Sequence, residues 1–107
     1  MIFKRGDTFD FTGEVTVRTF DDNTISDLTG WTARSQIRDA GQNLIADLTF
    51  TWIDAAQRVC RLQSNGPTDD WPIIEAYIDI EFKSPDDIVA STNTEDFHII
   101  EGPTLPA

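Results

Sequence analysis

The chain has 107 residues, of which 19 are acidic and 8 basic, and its formal net charge at pH 7 is −11. This length is typical of one domain, and a hydrophobic content of 39% is sufficient for a packed core. The charge repels nucleic-acid phosphates and anionic lipid surfaces, and no apolar run reaches membrane-spanning length, so neither nucleic-acid binding nor membrane insertion is expected. Residues 1–5 lack the apolar core of a secretory signal, which predicts a protein that is made in the cytoplasm and leaves it only as part of a particle.

The amino-terminal part of the chain predicts one strand after a short lead-in. Residues 1–7 form the lead-in, which ends in a bend, and residues 9–19 then alternate apolar and polar side chains. Phe9 and Phe11 should therefore share the buried face of this strand. Two polar turns follow it, at residues 21–24 and 27–30.

Residues 28–52 predict a long β-hairpin around which the rest of the chain is organised. Residues 31–38 and 44–52 each place apolar side chains at every second position, which is the period of a strand with one buried face. The segment between them, residues 39–43, has turn-forming composition, and Gly41 is expected to take a positive φ. A hairpin with one apolar face is not stable alone in water, so other strands must cover it.

The second half of the chain predicts four further strands. They lie at residues 58–63, 74–82, 88–91 and 97–100. Turns or loops separate them at residues 53–57, 64–70 and 83–87. The alternation is cleanest in residues 74–82, where Ile74, Ala76, Ile78, Ile80 and Phe82 should point inward. A Pro-rich tail at residues 102–107 cannot join a central strand.

These elements predict an all-β fold, an antiparallel immunoglobulin-like β-sandwich of about seven strands that forms a single domain over residues 1–107. The alternative is a small closed barrel, because both folds hide one face of every strand. The expected core contains Trp31, Leu48, Phe50, Ile78 and Ile80.

The residues show no catalytic constellation. His98 is the single histidine and Cys60 the single cysteine, so neither a histidine-assisted nucleophile nor a zinc site of several nitrogen and sulfur ligands is indicated. We expect His98 to be an exposed strand residue and Cys60 a small buried one. No catalytic, metal-binding or cofactor-binding residue is therefore assigned, and no cofactor is expected.

Acidic pairs and one tripeptide leave weaker alternatives open. The pairs at residues 21–22, 69–70 and 86–87 fall in predicted loops, where they are more often turn formers than calcium ligands. Two carboxylates could also meet in space for glycoside hydrolysis, but nothing singles out a pair. The Arg-Gly-Asp tripeptide at residues 5–7 is better explained as a bend than as an adhesion motif.

Several stretches together resemble the small β-sandwich modules in tail and baseplate proteins of tailed bacteriophages and prophages, including the amino-terminal module of baseplate upper proteins. They lie at residues 4–8, 27–31, 37–41, 71–72, 77–80 and 91–94. The resemblance covers nearly the whole chain. It implies a non-enzymatic virion structural or assembly protein that contacts other tail or baseplate proteins and forms a homo-oligomer, as a symmetric ring or trimer in the virion tail.

The position within a particle and the function class both have alternatives. The protein could be a baseplate, tail, neck or connector component. From another class, it could be a carbohydrate- or cell-surface-binding sandwich that uses Trp52, Trp71 or Tyr77 as a sugar platform, with calcium in the acidic loops. An acidic mimic of nucleic acid is a third hypothesis.

Overall fold

A computed structural model describes residues 1–18 and 23–101, and these residues form an all-β fold without helices. No helix of the length and apolarity needed to cross a membrane occurs in the described part of the chain. The eight strands are β1 (Ile2–Lys4), β2 (Asp10–Glu14), β3 (Thr32–Asp39), β4 (Leu44–Asp54), β5 (Val59–Ser64), β6 (Glu75–Lys83), β7 (Val89–Ser91) and β8 (Glu95–Ile100). The first half of the predicted loop at 21–24 and the Pro-rich tail at 102–107 lie outside the described residues.

The strands form one continuous sheet in the order β1-β8-β6-β3-β4-β5-β2, with β7 also paired to β6. The all-β prediction is confirmed, but two separate sheets of a sandwich are not, because β3 and β4 each pair with a neighbour on both sides. The sheet is also mixed, since β1 runs parallel to β8 while the other pairs are antiparallel. Alternating side chains define the faces of a strand but not its neighbours.

The sheet is curled into a half-barrel, and the connection between its two edge strands shows why. In a flat sheet of this order, β1 and β2 would lie six strand spacings apart, about 29 Å. Residues 5–9 join them, and a chain of this length reaches at most about 20 Å. The rings of Phe3 and Phe9 accordingly lie 5.7 Å apart, so the two edges meet at this end of the sheet.

The core lies on the concave face of the curled sheet and largely follows the predicted alternation. Leu48, Ile78 and Ile80 are buried as expected, whereas Trp31 and Phe50 are half-buried and pack against the core. The most deeply buried side chains include Phe82, Phe97, Leu28, Ile37, Ile99 and Val17. The prediction for Ile74 is wrong, because this residue precedes β6 and is 39% exposed.

The central hairpin has the predicted strands and a different turn. The left-handed residue is Gln42, with φ of 66°, rather than Gly41. The carboxylate of Asp39 accepts a hydrogen bond from the backbone N–H of Asn43, which ties the two ends of the turn together. A register shift at Ile37 then offsets the first residues of β4.

The amino-terminal region departs most from the sequence prediction. The predicted lead-in contains β1, and of the predicted strand at residues 9–19 the described part, up to residue 18, forms a strand over Asp10–Glu14. Phe9 is buried as expected, but Phe11 is 40% exposed. Phe11 does face the concave side, opposite Leu62, and it is exposed because the half-barrel is open beside β2.

A candidate binding groove at the open side of the half-barrel

The open side of the half-barrel is a groove of about 300 Å³ between β2 and the paired strands β6 and β8. Its walls are apolar and are formed by Phe9, Phe11, Val15, Leu62, Ile78 and Ile80. Three acidic residues, Glu14, Asp79 and Glu95, are among those that line it. The groove therefore combines an apolar floor with an acidic rim.

An aromatic cluster closes the half-barrel below this groove. The ring of Phe3 lies 5.3 Å from that of Trp71, and the ring of Phe9 lies 5.5 Å from that of Phe97. These contacts join β1 and β8 to the segment that leads into β2. At the Met1 end of β1, away from the cluster, the two edge strands lie farther apart and the groove begins.

Thr68 holds the loop that joins the two edges. Its hydroxyl donates a hydrogen bond to the carbonyl of Asp7 (2.7 Å) and accepts one from the N–H of Gly6 (2.9 Å). Gly6 has φ of 95°, a conformation that favours glycine, and Thr68 is 1% exposed. The Arg-Gly-Asp tripeptide is thus a structural turn with Gly6 and Asp7 bonded to a buried hydroxyl.

The outer edge of β2 leaves backbone groups without a strand partner. The N–H of Val15 bonds the carbonyl of Arg58, and the carbonyl of Phe9 accepts from Ser64, so the odd-numbered residues of this segment face β5. In an antiparallel pair the intervening residues face the other way. The backbone groups of Asp10, Thr12 and Glu14 therefore point outward, and among the described strands β2 pairs with β5 alone.

Phe11 covers part of this edge on the groove side. A Cβ atom at Gly13 would lie 2.7 Å from the tip of the Phe11 ring, so the ring rests against the position where a side chain would be. Glycine in a strand often marks a close approach of this kind. Gly13 therefore allows Phe11 to form one wall of the groove.

Two ion pairs hold the acidic residues of β2 against β5. Asp10 accepts hydrogen bonds from Nε and Nη2 of Arg61 at 2.9 and 2.6 Å, and this pairing holds the pKa of the Asp10 carboxyl below its usual value. Glu14 accepts one from Arg58 at 2.7 Å. Both pairs are partly or largely solvent-exposed, so we expect them to orient the strand more than to stabilise the fold.

A second cluster lies on the convex face. It consists of three side chains whose possible ligand atoms lie within 4.8 Å of one another: Glu75, Asp96 and His98. They are close because Glu75 lies opposite His98 in the β6–β8 pair and Asp96 is two residues before His98. One imidazole nitrogen and two carboxylate oxygens are ligands that Zn²⁺ accepts. In the structure His98 Nε2 lies 3.6 Å from Glu75 Oε1, and the His98 side chain is 45% exposed, as predicted. The prediction that the protein has no metal site stays a prediction.

The other residues considered from the sequence are not brought together into a site. Trp71 is buried and Trp52 donates its Nε1–H to the carbonyl of Trp31, so neither ring is a free platform for a sugar. The acidic pairs at 69–70 and 86–87 flank opposite ends of β6, about 30 Å apart, which excludes a shared calcium ion. The pair at 21–22 lies outside the described residues.

Cys60 is fully buried, as predicted, and burial raises the pKa of its thiol. The thiolate is therefore disfavoured at neutral pH, and Cys60 serves as a small core residue.

Comparisons of this chain with protein-family models and with curated proteins find no match. The groove was not predicted from the sequence. One signal could have indicated it: Phe11 and Gly13 share a face in a strand with acidic residues, and a glycine within a strand often marks the close approach of another group.

Proposed function

We propose that this protein is a non-enzymatic structural or assembly component of a tailed-bacteriophage or prophage virion, where it acts in the tail or baseplate through contacts with other copies and with neighbouring proteins. The observation that supports this proposal is the groove at the open side of the half-barrel. Free strand edges and exposed apolar surface are typical of protein contact sites. The resemblance of residues 4–100 to phage tail modules supplies the virion context.

The proposal includes an immunoglobulin-like arrangement of the sheet. In it, strands β1, β8, β6 and β3 act as one layer, and strands β4, β5 and β2 as the other. Support comes from the single hydrophobic core, which contains Leu48 and Leu62 from the second group and Ile78 and Phe97 from the first.

The charge of the chain suits a component that must stay soluble before assembly. A formal charge of −11 makes copies repel one another at low ionic strength. Salt screens this repulsion over a Debye length of about 8 Å at physiological ionic strength. Self-association should therefore strengthen as salt is raised from low to physiological concentration.

The first experiment measures molar mass by size-exclusion chromatography with light scattering, across a range of protein concentrations at physiological salt. A defined trimer or hexamer supports the homo-oligomer, and a strict monomer at the highest concentration refutes it. His98→Ala serves as a control, because His98 lies away from the groove and its loss should leave assembly unchanged.

The virion assignment needs a separate measurement. Mass spectrometry of purified particles from cultures of the source organism should detect the protein in fixed proportion to the tail proteins. Its absence from intact particles would refute a structural role in the virion, whatever its oligomeric state.

A further inference from the structure

We propose that the groove receives an extended segment of a neighbouring protein, which adds to β2 as a further strand and carries apolar residues that alternate with basic ones. This inference rests on the proposed function as a protein-contact module, and it specifies the chemistry of the partner. Addition of a strand to a free sheet edge is a common mode of peptide recognition, in which backbone hydrogen bonds give affinity and side-chain pockets give specificity.

The groove lies between the free edge of β2 and the start of β8. Strand β1 runs along β8 as far as Met1, whose amino group and carbonyl bond the Asp96 carbonyl and the His98 N–H. Beyond that point β8 continues to Glu95, and both Met1 and Glu95 line the groove. A strand that is added at the free edge of β2 would therefore lie between β2 and β8, across the groove.

The edge of β2 offers hydrogen bonds for that strand. Asp10, Thr12 and Glu14 direct three N–H and three C=O groups away from β5. These groups repeat at every second residue, which is also the spacing at which an added strand presents its N–H and C=O groups on one edge. Neighbouring strands lie about 4.8 Å apart, so the partner backbone must sit directly beside this edge.

The walls of the groove suit the alternate side chains of such a segment. Phe11 and Leu62 line it from the β2 side, and Ile78 and Ile80 line it from the β6 side. Side chains at every second position of an added strand would point onto these residues and remove the exposed part of Phe11 from water. The burial of apolar surface then adds to the backbone bonds.

The charge of the rim selects a basic partner. Glu14, Asp79 and Glu95 are the acidic residues among the described residues that line the groove, and the whole chain carries a charge of −11. Glu14 is already paired with Arg58, and Asp79 alternates with the inward-facing Ile78 and Ile80. Lys or Arg in the segment would therefore be attracted mainly by Glu95 and by the net charge of the chain, which accelerates association. The tail of a second copy does not fit, because residues 102–107 contain two prolines and no basic residue.

The test uses fluorescence anisotropy of a labelled peptide, acetyl-KVKVTVK-amide, with the full chain at physiological salt. Two comparison peptides separate strand addition from charge attraction. One is acetyl-KKKTVVV-amide, with the same composition but no alternation, and the other is KVKVTVK with alternate backbone nitrogens methylated. We expect the alternating peptide to bind at least about tenfold more tightly than either. Each hydrogen bond lost by methylation weakens binding severalfold, and the scrambled peptide cannot place a valine on the groove at every second position.

Protein variants test the same edge from the other side. Thr12→Pro removes an outward N–H without breaking a bond to β5, and proline is tolerated on edge strands, so binding should fall about tenfold while the fold is kept. Glu95→Lys should weaken binding, whereas Asp86→Lys makes the same charge change in an exposed turn outside the groove and should not.

The inference is overturned if the scrambled or the methylated peptide binds as tightly as the alternating peptide. It is also overturned if a folded Thr12→Pro protein binds the alternating peptide as tightly as the native protein does. The methylated peptide keeps the inference testable if Thr12→Pro does not fold. Peptide binding by a protein that is absent from virions would retain this inference and refute the proposed function. A stable oligomer that is found in virions but does not bind the alternating peptide would support the proposed function and refute this inference.

Discussion

Replacement of Thr68 by valine should destabilise the protein by removing the hydroxyl that holds the turn between the two edge strands. Valine has nearly the same shape, so no cavity forms, but the bonds to Gly6 and Asp7 are lost. At about 1 kcal/mol for each hydrogen bond, the free energy of unfolding should fall by about 2 kcal/mol. For a domain of this size that corresponds to a decrease in Tm of about 8 °C.

Urea denaturation followed by tryptophan fluorescence measures this effect directly. The backbone N–H of Trp71 donates a hydrogen bond to the Thr68 carbonyl, and the Trp71 ring lies in the aromatic cluster beside the turn. Thr68→Ser is the matched control. It keeps the hydroxyl and loses one methyl group, so its cost should be near 1 kcal/mol. If Thr68→Val lies within about 0.5 kcal/mol of the native protein, or is no worse than Thr68→Ser, the hydroxyl does not hold the turn.

Three further predictions concern the core, the groove and acid stability. Ile78→Asp should unfold the protein by burying an unpaired charge, and a folded, soluble variant by circular dichroism would show that this face is not buried as described. Gly13→Ala should displace the flexible Phe11 ring, with a stability change below about 1 kcal/mol but a shifted ring signal in NMR spectra; an unmoved ring would contradict the contact. Because Arg61 holds the pKa of Asp10 below 3.8, the ionised Asp10 favours the folded state above that pH, and the benefit is lost as the pH falls through the folded pKa. The urea midpoint should therefore drop less between about pH 5 and pH 2 in Asp10→Asn than in the native protein, and equal drops would contradict this.

The candidate groove shows where sequence reasoning reached its limit. Phe11 was assigned correctly to the concave side of its strand, and its exposure was not foreseen. The alternation of a strand states which side chains share a face, whereas burial depends on whether another strand lies across from that face. The pairing of Phe11 with Gly13 on one face is the one signal in this segment, and it does not show whether another strand lies across from that face.

The sequence by itself determined the all-β class, the bounds of most strands and the inward face of β3, of β6 and of β4 from Ala46 onward, because local side-chain periodicity and turn residues carry that information. At the start of β4 the prediction is wrong, since Leu44 is exposed and Ile45 packs against the core. It did not determine that β1 is a strand, since three residues are too few to show a period. Only the tertiary structure decided the order of the strands, the parallel pairing of β1 with β8 and the curl of the sheet. Those features depend on backbone hydrogen bonds between distant segments, which are chemically alike in every strand, and on the short connection that brings the two edge strands β1 and β2 together.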